Sequence, residues 1–263
     1  MRILITNDDG IDAPGLAVLE RVARTISDDV WVVAPETDQS GLSHSLTLGN
    51  PLRLRELGHN RFALRGTPSD CVIMATRRLI GEKPDLLLSG INHGQNTADD
   101  VTYSGTVAGA IEGTLIGIPS VALSLAHEMD RPGEVAWATA EHFAPIAIKR
   151  LLDFGFPPGI LYNINFPDLA TDEIKGIEVT HQGRLIHSLF IDERVDPRGN
   201  KYFWLGYRRR QSERVPGTDI VAIDAGSISI TPLRLDLTDY ELATRLRAQF
   251  AKPLPGSPAT AAE

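Results

Sequence analysis

Apolar residues in the first half of the chain fall into short unbroken runs separated by stretches with helical spacing. Ile3-Leu4-Ile5 ends at the polar turn Asn7-Asp8-Asp9-Gly10, and residues 15 to 27 then place Leu16, Leu19, Val22, Ala23 and Ile26 on one face. That order reads as strand, loop, helix. Val30 to Ala34 is a second buried-strand run, stopped by Pro35, and the polar stretch from Glu36 to Ser45 follows as a loop. Leu86-Leu87-Leu88 is a third run, ending at Ser89-Gly90, and Pro119 to Leu125 supplies another. Between these two, Val107 to Gly117 is rich in small residues and predicts a tightly packed helix. Strands alternating with helices imply an α/β fold, a mostly parallel sheet with helices on both faces. Ligands of such sheets collect at the carboxyl ends of the strands.

The second half reads differently. Residues 176 to 232 hold shorter strand-like pieces, including Tyr202 to Tyr207 and Ile228 to Thr231, divided by polar turns. They predict β-hairpin structure projecting from the core. Thr238 to Phe250 returns to helical spacing, with Leu242, Leu246 and Phe250 on one face. Pro253 to Glu263, rich in Pro and Ala, reads as a disordered tail. The expected organisation is a single domain over 1-252: a core of 1-175 plus 220-235, a protruding hairpin region of 176-219 and a C-terminal helix over 238-250. The tail is 253-263, and no internal repeat is visible.

Composition narrows the function classes. The 263 residues are 42% hydrophobic and 23% charged, the balance of a globular protein rather than a disordered one. A formal net charge of -8 argues against a surface that grips long nucleic acid, which needs a basic face. Small phosphate esters stay open, because metal ions and backbone amides can reverse the field locally. The lone cysteine, Cys71, excludes an intramolecular disulfide and a cysteine-rich zinc site, and fits a reducing compartment. Met1-Arg2-Ile3-Leu4-Ile5 runs into the acidic turn without the apolar region and cleavage site of a signal peptide. No stretch approaches the roughly 18 apolar residues of a membrane span. A cytoplasmic protein without a membrane partner is the expectation.

Three strand-end loops carry oxygen ligands: Asp8 and Asp9, then Ser40, then Asn92 and Asn96. Adjacent carboxylates with hydroxyl and amide oxygens suit Mg²⁺ or Mn²⁺, whereas zinc or copper favours His and Cys. One Asp-Asp-Gly turn alone reads as a solvated turn or a helix cap ahead of a metal site; three such loops at one sheet edge would bring distant ligands together. Tyr103-Ser104-Gly105-Thr106 precedes the small-residue helix, so Ser104 could cap it and leave the amides near Gly105 and Thr106 to an anion. The alternative is a capped, close-packed helix and nothing more. His44 and His93 adjoin these loops and read as exposed loop histidines ahead of a general-acid or phosphate-donor role. Gly66-Thr67-Pro68-Ser69-Asp70 reads as a turn into a helix, with a structural part for Thr67 and Asp70 ahead of one bordering substrate. Arg208-Arg209-Arg210 reads as a solvated face rather than an attractor of anionic substrate.

Several ordered motifs, spanning residues 1 to 233, resemble the SurE family of stationary-phase survival phosphatases. They are Ile5-Thr6-Asn7-Asp8-Asp9-Gly10-Ile11, Val33-Ala34-Pro35, and Gln39-Ser40-Gly41-Leu42-Ser43-His44-Ser45-Leu46-Thr47-Leu48. Next come Gly66-Thr67-Pro68-Ser69-Asp70-Cys71-Val72, Ser89-Gly90-Ile91-Asn92-His93-Gly94 and Tyr103-Ser104-Gly105-Thr106-Val107. Gly217-Thr218-Asp219 and Ser229-Ile230-Thr231-Pro232-Leu233 complete the set. The resemblance implies a Rossmann-like core whose C-terminal extension, hairpin and helix, builds a homodimer or homotetramer. It implies a 5′-nucleotidase that hydrolyses nucleoside 5′-monophosphates with one divalent metal ion per subunit, Mg²⁺ or Mn²⁺, and extends to 3′-nucleotides and short polyphosphate. Carried over residue by residue, the metal ligands fall on Asp8, Asp9, Ser40 and Asn92, and the positions near phosphate on Asn96, Ser104, Gly105 and Thr106. Asp8, with Asp9 beside it, is the candidate for direct chemistry, as base or nucleophile. Two departures stand out: Gln39 where many members carry a basic residue, and His93 where Arg is frequent. The first bears on substrate preference, the second on phosphate contact.

Other classes fit less well. A haloacid-dehalogenase-type phosphatase needs a second acid two positions after its first, where this chain has Gly10 and Ile11. A nicotinamide-dependent dehydrogenase wants a glycine-rich turn, whereas Asn-Asp-Asp-Gly would repel pyrophosphate without a metal. The rival of a different kind is a non-catalytic nucleotide-binding regulator that keeps the fold and binds metal without turnover.

Overall fold

A computed structural model describes residues 1–127, 134–211 and 214–251, with the side chains of 185–189 and 207–211 outside that description. The tail 253–263 and the side chains of the Arg208-Arg209-Arg210 run therefore lie outside the described residues. The chain forms β1 (Arg2–Thr6), α1 (Pro14–Arg24), β2 (Asp29–Pro35), then a long loop and the hairpin β3 (Arg53–Gly58) and β4 (Arg61–Arg65). There follow α2 (Pro68–Met74), β5 (Leu86–His93), α3 (Gly105–Leu115), β6 (Ser120–Ala126), α4 (Trp137–Phe154) and β7 (Ile160–Pro167). The second half adds β8 (Gly176–Val179), β9 (Leu185–Val195), β10 (Lys201–Gln211), α5 (Asp219–Asp224), β11 (Ser227–Arg234) and α6 (Tyr240–Phe250).

One nine-stranded sheet has the order β3-β4-β2-β1-β5-β6-β7-β11-β8. Neighbours from β4 through β7 run parallel, while β3 and β11 are antiparallel to β4 and β7. The central strands are unbroken apolar runs because both faces are covered: α1 and α4 pack on one side, α2 and α3 on the other. β1 pairs with β2 on one flank and β5 on the other, so the winding reverses beside it. The carboxyl ends of β1 and β5 thus lie at the switch point, where ligands of such sheets bind.

The expected strands at 3–5, 30–34, 86–88 and 119–125 are β1, β2, β5 and β6, but β5 does not stop at Ser89-Gly90. It runs on to His93 through a register skip: Ser89 faces Ala122 and Asn92 faces Ser124. Gly90 permits this with φ 138°, since a β-carbon there would meet the Leu123 carbonyl oxygen at 2.2 Å. The helix expected over 107–117 begins earlier, at Gly105, because the Ser104 hydroxyl accepts the Val107 N–H at 3.0 Å. Of the later strand-like pieces, Tyr202 to Tyr207 lies in β10, which pairs with β9 as a separate hairpin, whereas Ile228 to Thr231 lies in β11 of the main sheet. The pattern of the chain did not mark the β3–β4 hairpin, α4, β7 or β8. In β7 the apolar run is interrupted by Asn163 and Asn165, both fully buried. α6 forms where its spacing predicts, but Leu242, Leu246 and Phe250 face outward. Among the described residues no helix is long and apolar enough to cross a membrane.

Candidate active site

β1 delivers Asn7-Asp8-Asp9-Gly10 to the switch point, and the turn is closed by Asn7 Nδ2 donating to the Gly10 carbonyl at 2.8 Å. The Gln39 N–H donates to the Asp8 carbonyl at 2.8 Å, which pins the loop after β2 to the same turn. The His93 N–H donates to Asp9 Oδ2 at 3.2 Å and brings in the end of β5. From the other side α3 arrives end-on. A β-carbon on Gly105 would lie 2.7 Å from Asp8 Cβ and 2.8 Å from Asp8 Oδ2. Thr106 donates its hydroxyl to Asp8 Oδ1, and its backbone N–H also helps to lower the Asp8 pKa. Asp8 therefore sits at the N-terminus of α3, where unpaired amides and the helix dipole favour an anion.

The charges that shift Asp8 and Asp9 are those of other carboxylates. Burial raises the Asp8 pKa above the usual carboxylate range, the hydrogen bond from Thr106 opposes that, and the Asp38 charge adds to it. Burial, then repulsion from Asp8 and Asp38, push Asp9 up to about 7, against the opposing His93 N–H. Buried carboxylates without a counter-charge are costly, and a hard divalent cation with oxygen ligands is the group that would relieve them. Among the described residues no group of three or more His, Cys, Asp and Glu is arranged to hold a metal. The donor set here is of another kind, two carboxylates supplemented by hydroxyl and amide oxygens, and it fits Mg²⁺ or Mn²⁺.

Ser40 is exposed, and its N–H and hydroxyl both donate to Asp38 Oδ1, at 2.7 and 2.6 Å. Asn92 commits its amide nitrogen to the Gly94 carbonyl at 2.8 Å, so its amide oxygen is the end that could face a ligand. Asn96 is 7% exposed and tied inward. Its N–H donates to Asn165 Oδ1 at 2.8 Å, its carbonyl accepts from Asn163 at 2.7 Å and Asn165 at 3.1 Å, and its Nδ2 donates to Ser124 Oγ at 2.9 Å. The structure thus joins Asp8 directly to Gly105 and Thr106, while backbone bonds hold the loops of Ser40 and Asn92 against Asp8 and Asp9.

The neighbouring motifs sort by the same test. His44 Nε2 lies 2.9 Å from Glu112 Oε2 and straps its loop to α3. The His93 ring lies 5.0 Å from His127 and 6.1 Å from Trp137, and burial, with His127, lowers its pKa while Asp168 opposes. Thr67 and Asp70 cap α2 reciprocally, and they also hold the loop after β2 through the Ser45 carbonyl and Thr47 N–H. That is the structural part expected of them. Sequence reasoning passed over Asp38, although its place two residues before Ser40 lets a carboxylate reach that hydroxyl and N–H. It also passed over the buried pair His127 Nδ1 and Asp168 Oδ2, 2.7 Å apart, and gave no role to Asp219 in Gly217-Thr218-Asp219.

The family described as Survival protein SurE matches residues 3–188. The 5′-nucleotidase SurE of Brucella anthropi is 58% identical over 249 residues, covering 94% of this chain and 96% of its own length. That of Methylobacterium sp. (strain 4-46) is 59% identical over 247 residues, covering 93% and 98%. The crystal structure of SurE protein from Aquifex aeolicus is similar with a TM-score of 0.81 at 37% identity, covering 95% of this chain and 100% of that one.

Proposed function

The chain belongs to the SurE family, and on that premise we propose that it is a metal-dependent 5′-nucleotidase, a phosphomonoesterase that splits nucleoside 5′-monophosphates into nucleoside and phosphate. Its further substrates are 3′-nucleotides and short polyphosphate. The observation that carries this reading is the buried Asp8 carboxylate, seated on the N-terminus of α3 beside a second carboxylate with a raised pKa.

Asp8, Asp9, Ser40 and Asn92 would hold one Mg²⁺ or Mn²⁺ per subunit. When bound, such an ion neutralises charge on a phosphate oxygen and makes its water a better nucleophile. The protein's own groups do the rest. The Gly105 amide and the start of α3, capped by Ser104, receive the remaining negative charge of the phosphate, with Asn96, Ser104 and Thr106 as the other residues beside it. Thr106 holds Asp8 in one orientation. From there Asp8, with Asp9 beside it, acts at the phosphorus centre, as a base toward water or as the nucleophile itself. Positioning and fixed donors of this kind supply most of what phosphoryl transfer requires.

Assembly belongs to the same reading. Ile191, Phe203, Trp204 and Leu205 are exposed on the β9–β10 hairpin, as are Leu242, Leu246 and Phe250 on α6. Apolar surface on two projecting elements supports a homodimer or homotetramer. The net charge of -8 and the single, buried Cys71 support a cytoplasmic enzyme of small nucleotides, without long nucleic acid or membrane as partner. The test is phosphate release across a panel of nucleoside monophosphates with Mg²⁺, with Mn²⁺ and with chelator. Metal-dependent turnover is expected, and metal-dependent binding without release would instead support the non-catalytic regulator.

A further inference from the structure

The segment between β5 and α3 is held from behind by groups far away in the chain. Ala98 lies in the left-handed region at φ 51°, which a residue with a β-carbon adopts only when its surroundings impose it. Its N–H donates to Asp219 Oδ2 at 2.8 Å, and its carbonyl accepts from Gln182 Nε2 at 2.8 Å. The other oxygen of Asp219 accepts the Gly183 N–H at 2.9 Å and the Ile220 N–H at 2.8 Å. Asp219 is fully buried. Gln182 and Gly183 lie just before β9, at the root of the hairpin. From Ala98 the chain makes a short 3-10 turn to Thr102, with the Asp100 N–H on the Thr97 carbonyl and the Tyr103 N–H on the Asp100 carbonyl, and then reaches Ser104 at the cap of α3.

We propose that Asp219 is a positioning residue for phosphate binding: its carboxylate fixes Ala98 and, through the turn that follows, the N-terminus of α3, and ties both to the root of the β9–β10 hairpin. This rests on the proposed phosphatase reading, in which that helix end receives the phosphate. Of the residues that would hold metal, Asp9, Ser40 and Asn92 are tied elsewhere, Asp9 to the His93 N–H, Ser40 to Asp38 and Asn92 to the Gly94 carbonyl, while Asp8 also leans on α3 through Thr106. Loosening Ala98 should therefore weaken phosphate binding well beyond any effect on metal binding, a split that general destabilisation does not produce.

The experiment uses the full chain and compares wild type, Asp219→Asn and Gln182→Ala. It measures KM for a nucleoside 5′-monophosphate, calorimetric affinity of the Mg²⁺-loaded protein for inorganic phosphate, and Mn²⁺ affinity without phosphate. Asp219→Asn sets an amide N–H against a backbone N–H, and KM and the phosphate dissociation constant should rise about tenfold, as expected for a small displacement at a binding site. Gln182→Ala, which removes one neutral hydrogen bond near the surface, should shift both in the same direction by about threefold. Mn²⁺ affinity should hold within about twofold in each, a difference of roughly 0.4 kcal/mol. Unchanged KM and phosphate affinity in the folded variants would overturn the proposal, as would a parallel loss of Mn²⁺ affinity. If Asp219→Asn does not fold, Gln182→Ala decides by the same readings. Wild-type protein that neither binds phosphate nor releases it would instead bring down the phosphatase reading.

Discussion

Gly105 and Asp8 touch so closely that a side chain on the first would collide with the second: a β-carbon at 105 would stand 2.7 Å from Asp8 Cβ and 2.8 Å from Asp8 Oδ2. Glycine is needed there for close approach, since α3 rests its first turn on the carboxylate. Gly105→Ala must push either the helix or Asp8 aside. Turnover (kcat/KM) should fall by about a hundredfold, the usual consequence of a displacement near 1 Å at reacting groups. Unfolding in denaturant should show a smaller cost, about 1–3 kcal/mol, typical of overpacking. Wild-type kinetics in this variant would mean that Asp8 has room to spare.

Thr106→Val tests the same carboxylate from its other contact. The hydroxyl that donates to Asp8 Oδ1 disappears, the shape stays, and a buried acceptor loses a partner. We expect a loss of about 1–3 kcal/mol in unfolding experiments on metal-free protein, together with weaker Mn²⁺ binding by calorimetry. Unaltered Mn²⁺ affinity would show that Thr106 does not hold Asp8 for the ion.

Legibility of the fold followed burial. β1, β2, β5 and β6 could be read from the sequence because parallel strands covered on both faces are written as continuous apolar runs. β7 could not, since Asn163 and Asn165 break its run, and they are there to hold the backbone of Asn96, almost 70 residues away. α6 was readable as a helix, but an amphipathic pattern does not say whether the apolar face meets the core, and here it does not. In the site, the Asp8-Asp9 turn was visible because charged residues directly after a strand interrupt an apolar pattern. The parts of Asp38 and Asp219 were not. A carboxylate bonded to Ala98 across 121 residues leaves no period or spacing to find.

The raised carboxylate pKa of Asp9 sets a pH dependence. Its ordinary value is 3.8 and its folded value about 7, so between those pH values the folded state keeps a proton that the unfolded chain has lost. Stability from this group is therefore lost as pH rises through that window, and Asp8 acts in the same direction. Thermal melts of chelated protein from acid to neutral pH should show a melting temperature that declines more steeply for wild type than for Asp9→Asn. On the proposed reading Mn²⁺ would bind the ionised carboxylates, so the stabilisation it adds should grow toward neutral pH. Equal slopes for wild type and Asp9→Asn would contradict the assignment.

The exposed hairpin predicts self-association. Trp204 is 60% exposed and Leu205 71%. Trp204→Ser with Leu205→Ser should shift the species seen by light scattering after size-exclusion chromatography toward monomer, with little change in secondary structure by circular dichroism. An unchanged mass distribution would place any contact between copies elsewhere, with α6 the next element to test.

Anomalous diffraction from crystals soaked in manganese tests the account most directly. It predicts a single strong peak per chain at the carboxyl end of β1, about 2.1 Å from oxygens of Asp8, Asp9 and Asn92, with Ser40 drawn in beside them. A peak elsewhere with this turn empty, or none at saturating manganese, would contradict the claim that these loops converge to hold a cation.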